Sequence, residues 1–169
     1  RAVAFAIADG QLPSNNKAGY VIRRILRRAV RYAYTFLNLK EPFIYTLVEV
    51  LAQQYEGFFD ELVSQKDFIA KVIKEEENAF LRTLEKGLKR LDQIEVNLKS
   101  TKSNTIDGNE IFELYDTFGF PLDLTQDVLK EHDLTVDQDG FEKEMDKQKQ
   151  RAREAREEVG FGSSKEDEL

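Results

Sequence analysis

From residue 67 to residue 99 the chain keeps its apolar side chains on one narrow stripe. Ile69, Ile73, Phe80, Leu84, Leu91, Ile94 and Leu98 recur at about 100° per residue, the period of an α-helix. At a rise of about 1.5 Å per residue, this predicts a single helix about 50 Å long. A helix with one apolar stripe must bury that stripe against other elements. The chain is therefore expected to be all-α: a multi-helix bundle with one long central helix. Nine Gly and three Pro are too few for the many tight turns of a β-sandwich or barrel. Gly87 lies on the same stripe. A mid-helix Gly costs about 1 kcal/mol relative to Ala, and close packing of a neighbouring helix is the predicted reason.

The other elements follow from periodicity and breakers. Residues 1–8 read as the end of a helix stopped by Asp9-Gly10, and residues 11–16 as a loop. A second helix is predicted over 17–37, a third over 43–55, and a short turn-rich or helical piece over 58–63. Past the long helix, residues 100–108 read as a polar loop. Helices are then predicted over 109–118, over 121–132 with Pro121 in its favoured first-turn position, and over 141–159. Residues 134–136 read as a short extended connection, and no internal repeat is visible. Residues 1–159 are expected to form one domain, with 160–169 as a flexible linker or tail.

Several function classes are excluded early. The chain has no Cys and one His, His132. A disulfide scaffold and a zinc finger are ruled out, and a Cys/His metal site or a Ser-His-Asp triad is disfavoured. No apolar run approaches the ~18–20 residues of a membrane span, and no signal-peptide pattern opens the chain, so no membrane partner and a cytoplasmic location are expected. Arg1 in place of Met predicts a piece of a longer polypeptide. Lys165-Glu166-Asp167-Glu168-Leu169 resembles an ER-retention tail, but without a signal peptide the likeness reads as accidental.

Charge is unevenly distributed. The formal net charge is −7, yet residues 1–40 hold eight Lys/Arg against one acid, and the remainder holds 17 basic and 31 acidic groups. An acidic chain with one positive element can bind a polyanion there and repel it elsewhere. On a helical wheel Ile22, Ile25, Leu26, Ala29, Ala33, Phe36 and Leu37 share one face. Arg23, Arg24, Arg27, Arg28 and Arg31 occupy the opposite one, predicted to point away from the core. Like charges at i,i+4 repel by a few tenths of a kcal/mol, and the Arg fork matches phosphate geometry. Phosphate binding is one reading of this face. The other is a solvated face, or one salt-bridged to acids of the long helix, where Glu75, Glu76 and Glu77 are available.

Two polar residues stand out of place. Asn15 precedes the arginine helix and could cap it, but Ser14 and Asn16 could do so equally. Asp116 sits in the last turn of its predicted helix, where the helix dipole disfavours an acid by about 0.3–1 kcal/mol. A salt bridge to a nearby Arg would explain it structurally. A broken local rule near a helix end also marks a candidate functional residue.

Several motifs, taken in order, resemble one family. They are Asp9-Gly10, Pro13-Ser14-Asn15, Gly19-Tyr20-Val21-Ile22-Arg23-Arg24-Ile25-Leu26-Arg27-Arg28-Ala29-Val30-Arg31, Phe80-Leu81-Arg82-Thr83-Leu84-Glu85-Lys86-Gly87, Leu114-Tyr115-Asp116-Thr117-Phe118-Gly119-Phe120-Pro121 and Gly140-Phe141-Glu142. Together they are similar to the segment that follows the catalytic core of alanyl-tRNA synthetases. The resemblance implies an anticodon-binding-like helical domain that reads the acceptor stem of tRNA(Ala) through its G·U wobble pair. It implies that Asn15 (or its neighbour Asn16) and Asp116 read the pair, and that Arg23, Arg24, Arg27, Arg28 and Arg31 hold the RNA backbone. It implies that a catalytic core using ATP, Mg and alanine precedes this segment, and that a zinc-bearing editing domain follows. No cofactor, catalytic residue or metal ligand is assigned within the chain itself.

The residue chemistry suits that role. An A-form minor groove is wide and shallow, and a wobble guanine exposes there an amino group that the uracil leaves unpaired. Asn offers an acceptor and a donor, Asp only acceptors. An A·U pair lacks the amino group and would leave those acceptors unpaired, at about 1–3 kcal/mol. Two rivals remain from the residues alone. One is a structural helical spacer between catalytic modules. The other is a helix-turn-helix DNA binder, which lacks an evident partner helix and short turn.

Overall fold

The computed structural model describes residues 1–162, with side chains through residue 155. The elements run α1 (Ala2–Ala8), α2 (Lys17–Phe36), a 3₁₀ turn (Ile44–Thr46), α3 (Leu47–Gln54), α4 (Asp60–Ser64), α5 (Lys66–Thr101), β1 (Thr105–Ile106), α6 (Gly108–Asp116), α7 (Leu122–Lys130), β2 (Thr135–Val136) and α8 (Gln138–Gly162). Residues 163–169, which take in most of the expected tail, lie outside the described residues.

The stripe on α5 organises the rest. Ile69, Ile73, Phe80, Leu84, Leu91 and Ile94 are buried along its 36 residues. Helices α1, α2 and α3 and the 3₁₀ turn pack against α5, while α6 packs on α7 and α8. Phe5 of α1 meets Tyr55 and Phe59 edge-on, with ring centroids 5.3 and 5.1 Å away. A Cβ on Gly87 would collide with the Phe120 ring. The close neighbour is not the expected helix but the turn between α6 and α7, whose Phe120 also meets Phe80 edge-on at 5.7 Å.

Two glutamates also fall on the buried face of α5. Glu77 accepts the backbone N–H groups of Phe43, Ile44 and Tyr45 at 3.0, 2.8 and 2.9 Å. These are donors that a helix start leaves without intrahelical partners. The expected helix over 43–55 therefore opens as a 3₁₀ turn held by a carboxylate from another helix.

The all-α expectation needs one correction. Residues 105–106 and 135–136, expected as loop and connection, form a two-stranded parallel pair, Thr105 opposite Thr135 and Ile106 opposite Val136. Each strand leads into an aspartate that caps the next helix. Asp107 accepts from Asn109 N at 2.8 Å, and Asp137 from Gly140 N at 2.9 Å. Gly108 and Gly140 lie against each other, and a Cβ on Gly108 would collide with the Gly140 backbone. This doubled arrangement draws α6 and α8 together. It was not visible as a repeat because the shared letters are few.

The facing of α2 is the second correction. Ile22, Leu26 and Val30 are buried, but so is Arg31, at 2 % exposure. Ile25, Phe36 and Leu37, expected inward, are 45 %, 60 % and 67 % exposed. The helix is rotated toward its arginines because carboxylates of α5 and α7 meet them, which hydrophobic periodicity alone does not register.

Candidate functional site

Each arginine of α2 has a carboxylate partner. Arg23 and Arg27 meet Glu76 of α5, Arg24 meets Asp123, Arg28 meets Asp123 and Asp127, and Arg31 meets Glu131. The face expected to point outward is thus an ion-pair seam between α2, α5 and α7, closed at Arg31 and half-open at Arg24 and Arg28. The five differ in what remains open. The side chains of Arg24 and Arg28 are 41 % and 45 % exposed. Arg31 is enclosed, with Nη1 and Nη2 donating to the two oxygens of Glu131 at 2.8 and 2.7 Å.

Arg27 is a bridge. Its Nε donates to Glu76 Oε1 at 2.8 Å, its Nη1 donates to the Gly119 carbonyl at 2.6 Å, and its guanidinium stacks 5.1 Å from the Phe80 ring centre. Burial draws its pKa below the ordinary Arg value, and the Glu76 carboxylate opposes the shift. Arg remains charged throughout the accessible pH range.

Asn15 and Asp116 face one cleft of about 510 Å³, which Asn16, Tyr20, Arg23, Arg27, Gly119 and Gln148 also line. Asn15 is exposed and is not the helix cap. The N-cap position belongs to Asn16, whose side chain makes no capping bond. Asn15 Oδ1 instead accepts from Arg23 Nη1 at 2.5 Å. Ser14 lies against Gly19, where a Cβ would collide with the Ser14 hydroxyl. That close approach folds the 11–16 loop back on α2 and brings Asn15 within reach of Arg23.

Asp116 closes α6 and is exposed. The chain then turns through Gly119 at φ +70°, and Phe120 N–H bonds back to the Leu114 carbonyl at 2.9 Å. The expected Arg partner is replaced by an amide: Gln148 Nε2 of α8 donates to Asp116 Oδ1 at 2.5 Å. The burial of Tyr20 on the same cleft raises its pKa, so it is a neutral phenol near neutrality.

Two residues of this region were only weakly marked in the sequence: Glu76, behind the cleft arginines, and Gln148, in the cleft wall. Glu76 was available only as one of three adjacent acids, although its place on the apolar stripe of α5 was a usable signal. Gln148 gave none, because it lies on the very polar part of α8 that follows Met145. Among the described residues, no group of three or more His, Cys, Asp or Glu side chains is placed to hold a metal ion, and no helix is long and apolar enough to cross a membrane.

The mostly helical chain thus sets an exposed amide and an exposed carboxylate on one arginine-lined cleft. Residues 1–168 match the profile of the family described as tRNA synthetases class II (A), and the chain belongs to that family. It is 68 % identical over 155 residues to the alanine–tRNA ligase of Cytophaga hutchinsonii, covering 92 % of this chain and 18 % of that protein. The corresponding ligases of Christiangramia forsetii and Porphyromonas gingivalis are 61 % and 58 % identical over the same shares. The chain thus spans about a fifth of the length of these relatives.

Proposed function

We propose that this chain is the tRNA-recognition part of an alanine–tRNA ligase, selecting the tRNA(Ala) acceptor stem by its G·U wobble pair. The observation that carries the reading is the meeting of Asn15 and Asp116 on one arginine-backed cleft. The wobble guanine amino group needs acceptors. Arg23 occupies one lone pair of Asn15 Oδ1 and leaves the second, since a carbonyl oxygen has two. Gln148 engages only Oδ1 of Asp116, and no described residue engages Oδ2. The two side chains therefore offer separate acceptors to one amino group.

The arginines divide the remaining work. Arg24 and Arg28 are open enough to exchange their aspartates for phosphates and so set register without reading sequence. Arg23 and Arg27 line the cleft and supply positive potential to it. Arg31 serves the fold. ATP, Mg and zinc belong, in this reading, to the catalytic and editing parts of the full ligase, and no step here runs through them.

One observation favours the rival reading of a helical spacer: the α2 arginines are already neutralised by carboxylates. Titration of a labelled acceptor minihelix at low salt separates the two. The recognition reading expects saturable binding that is tighter for a G·U than for a G·C stem. No binding, or equal binding of both stems and of duplex DNA, contradicts it.

A further inference from the structure

Glu77 has a complete structural explanation in the turn it caps. Glu76 does not. Its side chain is 9 % exposed and sits between two guanidinium groups. Arg27 approaches through Nε at 2.8 Å and Nη2 at 2.7 Å. Arg23 approaches through Nη2 at 3.2 Å, with its Nε 2.9 Å from the same carboxylate. Each arginine then continues to a different wall of the cleft. Arg23 Nη1 reaches Asn15 Oδ1, and Arg27 Nη1 reaches the Gly119 carbonyl in the turn that follows Asp116.

We infer that Glu76 is a positioning residue for both base-contacting side chains. It is one buried carboxylate that fixes two guanidinium forks, one holding Asn15 and the other holding the turn beside Asp116. This deepens the recognition reading and rests on it.

The physical argument has two parts. Two adjacent guanidinium groups repel, and without a shared anion at least one would swing toward solvent. A guanidinium is also a rigid plane with five donors in fixed directions, so a bond from Arg27 Nε, or from Arg23 Nη2 with its Nε in charge contact, restricts where Nη1 points. Glu76 therefore aims Arg23 at the Asn15 oxygen. That contact fixes which way the carboxamide faces, with Oδ1 toward Arg23 and its second lone pair available. An amide released from Arg23 turns freely and offers its NH₂ to the guanine amino group half the time, donor against donor. Selectivity is lost before affinity, because nothing that attracts phosphate has been removed.

Glu76→Gln tests this in the intact protein. The variant keeps the side-chain volume and places an NH₂ against the guanidinium donors. Binding of a fluorescein-labelled acceptor minihelix is measured with a G·U or a G·C pair at the recognition position, alongside Asn15→Ala, Asp116→Ala and Arg23→Lys. The expected result is a fall of about tenfold or more in the G·U over G·C ratio, as for losing a well-made base contact. Binding of the G·C stem stays unchanged or tightens, since a negative charge behind the cleft arginines has been removed. A folded Glu76→Gln with the wild-type ratio, beside an Asn15→Ala that has lost it, overturns the positioning role and leaves the recognition reading intact. If Asn15→Ala and Asp116→Ala also keep the ratio, the recognition reading fails and takes this inference with it. Should Glu76→Gln not fold, Arg23→Lys decides, because Lys keeps the charge but cannot hold Glu76 and Asn15 together. A lost ratio supports the role and a retained one overturns it.

Discussion

Arg27 and Gly119 share one space: the Arg27 Nη1 that donates to the Gly119 carbonyl at 2.6 Å stands where a Cβ on residue 119 would be. Residue 119 is held to glycine twice, once by its φ of +70° and once by the guanidinium. Through this contact an arginine of α2 fixes the end of α6, and with it the approach to Asp116.

Gly119→Ala is expected to destabilise the fold by about 1–3 kcal/mol in urea unfolding, from left-handed strain plus displacement of Arg27. Part of that cost is steric and should vanish when Arg27 is shortened. In a double-mutant cycle, Gly119→Ala and Arg27→Ala together should cost less than their sum. Strict additivity would show that the contact carries no energy.

The Arg31–Glu131 pair is asymmetric, with side-chain exposures of 2 % and 40 %. Removing Glu131 strands a buried cation, whereas removing Arg31 leaves an anion that water can reach. Glu131→Gln is therefore expected to cost about 3–5 kcal/mol, the range for breaking a buried pair from one side. Arg31→Met, which fills much of the same space with apolar atoms, should cost clearly less. Equal losses in urea midpoint would refute the asymmetry.

The same pair sets a pH dependence. Hydrogen bonds from Arg31 hold the Glu131 carboxyl below its ordinary value, against the opposing effect of burial. A carboxyl depressed in the folded state contributes stability that is complete above the unfolded value, about pH 4.3, and is lost as pH falls through the folded one. The stability gap between the native protein and Glu131→Gln should thus be flat from about pH 7 to 5 and narrow below about pH 4. A gap that persists into acid would argue against this ion pair.

Much of this architecture was legible in the chain. The α5 stripe predicted the longest helix and its buried residues, because apolar periodicity maps directly onto a buried face. The β1–β2 pair was not legible, since two residues at each position carry no period and their pairing depends on distant chain. The facing of α2 was misread for an electrostatic reason. A wheel scores arginines as outward; the alternative of a face salt-bridged to the long helix holds for Glu76, but Asp123, Asp127 and Glu131 of the α7 region gave no sign in the sequence. For the candidate site, the irregular placement of Asn15 and Asp116 singled them out. Their common cleft, and Gln148 beside it, depended on packing that no local pattern encodes.

Phosphate contact by the half-exposed arginines has its own signature. Arg24→Gln and Arg28→Gln should each weaken all stems alike and lower the salt slope of binding by up to about one unit. An unchanged slope for both would remove them from the RNA interface.

The most direct measurement is the ratio of G·U to G·C acceptor-minihelix binding for Asn15→Ala and Asp116→Ala, each beside the native protein at one salt concentration. Either substitution should cut the ratio by about tenfold, as removal of a hydrogen-bond partner worth about 1–3 kcal/mol requires, with G·C binding little changed. If both stems lose affinity equally, or neither does, Asn15 and Asp116 do not read the wobble pair.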